Sequence, residues 1–174
     1  MKNYIRTRRR SRTTPAVAVA VFKGGPIEGE ATASRHPSGR GTLLRAHFTA
    51  IPKGHHGFHI HKAGDLRGEG CKGACDHFHV GPPCRHGAGP STRRHSRHSR
   101  HSGDLGNLPT ASPTHPFRRS YHLSDFPPEA LWGRSLIVHA DEDDLGKGHH
   151  PDSGTTGNSG SRIGCAIFGR VSCS

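Results

Sequence analysis

His59 and His61 stand two residues apart in the alternating stretch Gly57-Phe58-His59-Ile60-His61. In an extended chain this spacing sends both imidazoles to one face. It suits two ligands on one metal ion, whereas a helix would place them three or four apart. Downstream come His77, His79 and His86, then His101-Ser102-Gly103-Asp104, while His139 ends the short apolar run Ser135-Leu136-Ile137-Val138. Three imidazoles and a carboxylate, with no thiolate, suit tetrahedral zinc. Imidazole suits copper equally, and a nitrogen-rich square set is typical of Cu(II). The chain has 5 cysteines, Cys71, Cys75, Cys84, Cys165 and Cys173, so disulfide pairing leaves at least one over. Cys71 and Cys75 with Cys84 and His86 form an alternative Cys/His zinc set, loosely spaced for a zinc knuckle.

These residues need a scaffold. Residues 1–15 lack apolar periodicity and end at Pro15, which reads as a flexible basic arm ahead of a domain spanning 16–174. Val17, Val19 and Val21 alternate with alanine, a strand pattern closed by the turn Lys23-Gly24-Gly25-Pro26. Further strands are expected over 41–51, 57–61, 135–139 and 163–171. Another is expected over 116–123, where Arg119 interrupts the face made by Phe117, Tyr121 and Leu123. Residues 62–108 form a Gly-, Cys-, His- and Pro-rich stretch with hardly any strand signal, which needs something to organise it. A second, acidic and Gly-rich loop spans 140–162. No convincing helix is evident. Short strands broken by two long loops point to an all-β sandwich or barrel. The tripeptide Arg-His-Ser occurs three times from Arg94 to Ser102, a low-complexity insertion of the kind that a loop accepts at small entropic cost.

The chain is 174 residues long, a single domain of ordinary size. Leu, Ile, Val and Phe together number 29, about 17%, below the roughly 20% at which a charged chain tends toward disorder. Such a core needs staples, either metal ions or a disulfide. The net charge of +12 favours anionic partners: nucleic acid, an acidic surface, or small anions steered by the field. No apolar run approaches the roughly 18 residues of a membrane span. The apolar stretch 16–22 is at the lower limit for a signal peptide and is followed by a turn, so it reads as a strand.

Four stretches, in order along 16–171, resemble the copper/zinc superoxide dismutase family: Gly57-Phe58-His59-Ile60-His61, Gly103-Asp104-Leu105-Gly106-Asn107, the run from Val138 to Gly148, and the run from Thr156 to Arg162 followed by Cys165. The resemblance implies a Greek-key β-barrel or sandwich of about eight antiparallel strands with two long functional loops. It implies copper ligands His59, His61, His77 and His139, and zinc ligands His77, His86, His101 and Asp104, with His77 bridging. It also implies that Asp143 links His59 to His86, that Arg162 attracts and orients superoxide, and that Cys71 pairs with Cys165. Only His101 of the repeat stands three residues before Asp104, so His95 and His98 read as bystanders. The activity implied is superoxide disproportionation to dioxygen and hydrogen peroxide by copper redox cycling, with His77 carrying a proton and zinc holding it in place.

The sequence departs from the family where Ala63 and Arg170 replace larger apolar residues at the expected homodimer interface. A buried, unpaired guanidinium there would cost several kcal/mol, which implies an altered dimer or a monomer. Pro109, Pro113, Pro116, Pro127 and Pro128 are unusual where strands should pair. Cys75 and Asp76 precede the bridging histidine in place of small residues, and His149, His150 and Pro151 replace part of an acidic stretch. The alternative to an active dismutase is a catalytically weak, copper-binding decoy or partner-binding relative. The expected location is cytoplasmic, with virion or secretion as alternatives, and the arm 1–15 is a candidate tether to nucleic acid or an anionic surface.

Overall fold

Period-two alternation with small inward residues builds the first of two sheets. The computed structural model describes residues 15–90, 100–113 and 115–171. The body of the basic arm, the first two Arg-His-Ser copies and Cys173 lie outside the described residues. Among the described residues the strands are β1 (Ala16–Phe22), β2 (Glu28–Arg35), β3 (Thr42–Ala50), β4 (Gly54–His61), β5 (Asp104–Thr110), β6 (Phe117–Leu123), β7 (Ser135–His139), β8 (Arg162–Ile167) and β9 (Gly169–Arg170). They form two antiparallel sheets, ordered β6-β3-β2-β1-β9 and β5-β4-β7-β8. The chain crosses between the sheets after β3, β5, β6 and β8, as expected for an all-β sandwich of the implied kind.

Between the sheets lie Ala18, Ala20 and Phe22 of β1, Ala31 and Ala33 of β2, Leu44 and Phe48 of β3, and Phe58 and Ile60 of β4. Rings run through this core from Phe22 to Phe48, Phe58 and Tyr121, with centroids 5.5, 5.8 and 6.0 Å apart. The core is thin because so many inward positions are alanine. Its second layer puts Phe58 and Ile60 of β4 and Leu136 and Val138 of β7 inward. The alternate residues His59, His61, Ile137 and His139 are therefore thrown to the outer face of the four-stranded sheet. Every residue of β7 is buried, because the described loop residues 62–90, 100–103 and 140–161 cover that outer face.

Two strands carry little sequence signal. β2 reads Glu-Gly-Glu-Ala-Thr-Ala-Ser-Arg and is extended because β1 and β3 pair with it on both sides. β5 contains a glycine, an asparagine and Pro109, inside the region where hardly any strand signal is evident. It is an edge strand, paired only with β4, and an edge tolerates a residue without an N–H. In β6, also an edge, Arg119 reaches past the sheet and donates to the Asn107 carbonyl at 2.9 Å, so its place on the apolar face buries no charge. Among the described residues, helical structure amounts to the single turn α1 (Ser153–Thr156) and two short 3-10 segments.

Arg170, where the sequence departs from the family, packs against an aromatic ring of its own chain. It is exposed, and its guanidinium lies 4.2 Å from the centre of the Trp132 indole ring, whose Nε1 donates to the Val17 carbonyl. In the single chain this cation lies in water over an aromatic face. Ala63 accepts a hydrogen bond from the Ser135 hydroxyl at 2.7 Å.

Cys71 and Cys165 form a disulfide across 94 residues of sequence, tying the long loop to β8. Replacing both cysteines by serine should lower the unfolding free energy by roughly 2–5 kcal/mol, read from urea denaturation of metal-free protein. An unchanged midpoint would refute this role for the bridge.

Candidate metal centre

The outer face of β4 presents His59 and His61, and His139 ends the neighbouring β7. A fourth ring, His77, comes from the loop, which is fastened there by backbone bonds. Lys62 N–H donates to Asp76 and Phe78 N–H to Ile60, at 2.9 and 2.8 Å. Phe78 itself enters the core, edge-on to Phe126 at 5.0 Å. The His77 ring centre thus lies 4.2 Å from that of His59 and 4.8 Å from that of His61.

All four rings have one nitrogen fixed by an acceptor, His77 Nδ1 by Asp104 at 2.8 Å. His59 Nε2 donates to Asp143 at 2.9 Å, His61 Nδ1 to the Cys75 carbonyl at 2.8 Å, and His139 Nδ1 to the Gly160 carbonyl at 3.1 Å. The opposite nitrogens, His59 Nδ1, His61 Nε2 and His139 Nε2, are buried without any partner, and so is His77 Nε2. A buried polar atom left unpaired costs about 1–3 kcal/mol. Donor atoms of these four residues all lie within 4.8 Å of one another. Four unpaired lone pairs facing one another suit a cation that takes imidazole ligands.

The other side of His77 faces a second cluster. Asp104 Oδ1 is 2.8 Å from His77 Nδ1, 3.1 Å from His86 Nδ1 and 3.3 Å from His101 Nδ1. His86 Nδ1 and His77 Nδ1 are 3.3 Å apart. Metal–ligand bonds of about 2.0 Å in a tetrahedron put ligand atoms about 3.3 Å apart, so this set fits tetrahedral zinc. Asp104 Oδ2 is occupied by the backbone N–H groups of Gly87 and His101, at 3.0 and 2.9 Å. Arg100 clasps the same turn, donating through Nη1 to the carbonyls of His101 and Asp104.

Asp143 joins the clusters, accepting from His59 Nε2 at 2.9 Å and from His86 Nε2 at 2.7 Å. Asn107 brackets it, donating to the Asp143 carbonyl and accepting from its N–H, both at 2.8 Å. A Cβ on Gly157 would collide with both the Asp143 carboxylate and the His86 ring; its φ of 71° is also one that glycine adopts freely. Arg162 donates to the carbonyls of Cys71 and Cys75, at 2.5 and 2.8 Å. One peptide oxygen, that of Cys75, therefore holds both the His61 ring and the Arg162 guanidinium. Cys75 adopts φ 62° and ψ −150°, a region in which residues other than glycine are strained.

Burial, then the neighbouring rings of His77 and His139, push His59 far below the usual imidazole range. Burial, reinforced by His77, lowers His61 likewise. Burial brings His139 down to about 4, with His77 and Arg162 acting in the same sense. For His86 burial acts downward, but Asp104 and Asp143 outweigh it and push the ring up to about 9. Burial would raise Asp104, yet hydrogen bonds from His101, His77 and His86 hold it far below the usual carboxylate range.

All eight expected ligand positions of the two sets fall in these two clusters, His77 counted in both. The alternative Cys/His zinc set is not built: Cys71 is in the disulfide, His86 faces two carboxylates, and Cys84 lies beside His79. His149 and His150 are exposed and belong to neither cluster. Sequence reasoning missed His56, a buried ring that donates to the His139 carbonyl at 2.9 Å and faces the Pro52 carbonyl at 3.1 Å. Its only signal is that the strand carries two further histidines, His55 and His56, ahead of the ligand pair. The role of Asn107 was missed as well, although it stands in one of the matching stretches.

His139 binds its proton more weakly folded than at its ordinary value of 6.5. The metal-free fold therefore keeps this contribution above about pH 6.5 and loses it as pH falls toward about 4; His59 and His61 act in the same direction. His86 acts oppositely, its contribution being complete below 6.5 and lost toward about 9. Urea midpoints of chelator-treated protein should fall on acidification from 6.5, and a flat profile would contradict the burial of these rings.

Comparison with known proteins agrees with this geometry. The sequence profile of the copper/zinc superoxide dismutase (SODC) family matches residues 27–168. A protein of Orgyia pseudotsugata multicapsid polyhedrosis virus, provisionally named a Cu-Zn superoxide dismutase, is 47% identical over 131 residues, 72% of this chain and 80% of its own. A similarly named protein of Autographa californica nuclear polyhedrosis virus is 36% identical over 83% of this chain and 92% of its own. Cu-Zn superoxide dismutase 5 of Dictyostelium discoideum is 33% identical over 87% of this chain and 95% of its own. The crystal structure of the clock protein EA4 superposes with a TM-score of 0.75 at 32% identity, covering 94% of this chain and 100% of that one. The chain is a member of the copper/zinc superoxide dismutase family.

Proposed function

We propose that this chain is an active superoxide dismutase that holds copper through His59, His61, His77 and His139 and zinc through His77, His86, His101 and Asp104. The observation that carries the reading is the group of four buried ring nitrogens without a partner. When bound, copper supplies one-electron redox chemistry and zinc, which has none, supplies fixed charge and geometry. The net reaction consumes two superoxide anions and two protons and releases dioxygen and hydrogen peroxide.

The residues divide the work. Arg162 is positioned by two carbonyls and stays charged at every relevant pH. Its charge reaches the centre, since it lowers the proton affinity of both His61 and His139. It draws in and orients the small anion, an effect that salt weakens. His77 Nε2, buried beside His59 and His61, is the atom that holds and passes a proton, while Nδ1 stays fixed in the Asp104 cluster. Asp143 sets the orientation of His59 and His86 together, as a carboxylate behind a ligating ring does. The hydrogen bonds to Cys75 and Gly160 do the same for His61 and His139.

In a superoxide-decay assay on protein reconstituted with both metals, His139→Ala should lose about 100-fold or more of the rate together with tight copper. Arg162→Ala should keep its copper and lose roughly 10-fold, along with most of the salt dependence. Undiminished turnover in His139→Ala would refute the assignment.

A further inference from the structure

The five-stranded sheet turns a second, unassigned concavity to solvent, on the sheet that carries none of the metal-centre residues. On its outer face β3 presents Arg45 and His47, β6 presents Arg118 and Ser120, and β2 presents Glu30 and Thr32. The register sets them in two rows: Thr32, Arg45 and Ser120 lie side by side, as do Glu30, His47 and Arg118. Together they line a depression of about 370 Å³.

Arg45 and Arg118 are diagonal neighbours across one strand pair, a relation that brings side chains within roughly 7–8 Å of each other. Both are exposed, and among the described residues neither guanidinium makes a hydrogen bond or an ion pair. His47 stands directly opposite Arg118 and two residues from Arg45. Two neighbouring guanidinium groups repel each other, and a tetrahedral oxyanion between them relieves that repulsion. It would accept from both guanidinium groups and from the Ser120 hydroxyl.

We propose that this depression is a binding site for a single phosphate group, as free phosphate or a phosphate monoester. Glu30 stands at its β2 side, and Glu28 and Glu30 both border the adjoining depression. A phosphodiester chain crossing the sheet would meet both carboxylates, whereas one phosphate held between Arg45 and Arg118 has only Glu30 beside it. Charge therefore favours a compact anion over a nucleic-acid backbone. The same reasoning makes Glu30 a brake on affinity.

The test is titration of the metal-loaded, full-length protein with inorganic phosphate, followed by NMR of the arginine Nε–H and histidine ring signals. Saturable shifts are expected at Arg45, His47 and Arg118. Arg45→Gln and Arg118→Gln should each weaken binding roughly 10-fold or more, Glu30→Gln should tighten it, and superoxide decay should be unchanged in Arg45→Gln. Shifts confined to the Arg162 side of the molecule, or an affinity unaffected by both arginine substitutions, would overturn the proposal. Saturation by a 12-nucleotide single strand at lower concentration than by phosphate would overturn it too, in favour of a nucleic-acid surface.

Discussion

The His77 ring carries Nδ1 into the cluster around Asp104 and Nε2 into the group formed with His59, His61 and His139, so neither cluster is complete without the other. A single ring facing two ways tolerates little rotation. Its backbone is accordingly held by a bridge to His61 and by the flanking residues Asp76 and Phe78, which bond to β4 or its immediate continuation. Phe78, sunk in the core and covered by the Arg134 guanidinium at 3.7 Å, transmits the packing of the two sheets to the position of the ring. The apolar interior and the metal centre are thus one mechanical system, joined at consecutive residues.

The same arrangement answers the shortage of large apolar residues. The interior is lined with alanine and gains little per residue from burial. The outer face of the four-stranded sheet is covered by loops whose order comes from polar ties: the disulfide, Asp143 between His59 and His86, and Arg162 on two carbonyls. In such a network a lone pair without a partner is a liability until a cation is bound, and ligand binding energy then adds to folding energy.

Much of the site was legible because its geometry is written in short spacings. His59 and His61 share a face through period two alone, and Asp104 follows His101 within one turn. Linking these local signs to His77, His86 and Asp143 took family resemblance, since nothing in spacing or composition says which of 17 histidines meet in space. The strands most easily read, such as β1 and β7, alternate cleanly or are uniformly apolar. β2 and β5 escaped because their residues have weak intrinsic preference and are extended by their neighbours. His56 escaped for a different reason: its role is to hold backbone carbonyls, and that leaves no pattern in the sequence.

The clasp that Arg100 makes on the carbonyls of His101 and Asp104 has an evolutionary reading. It seals the turn bearing the last zinc-side ligands at its first residue, so the stretch immediately upstream can lengthen or shorten by whole tripeptides without tugging on the ring of His101. A change of copy number ahead of Arg100 would therefore leave the two anchoring bonds at His101 and Asp104 in place.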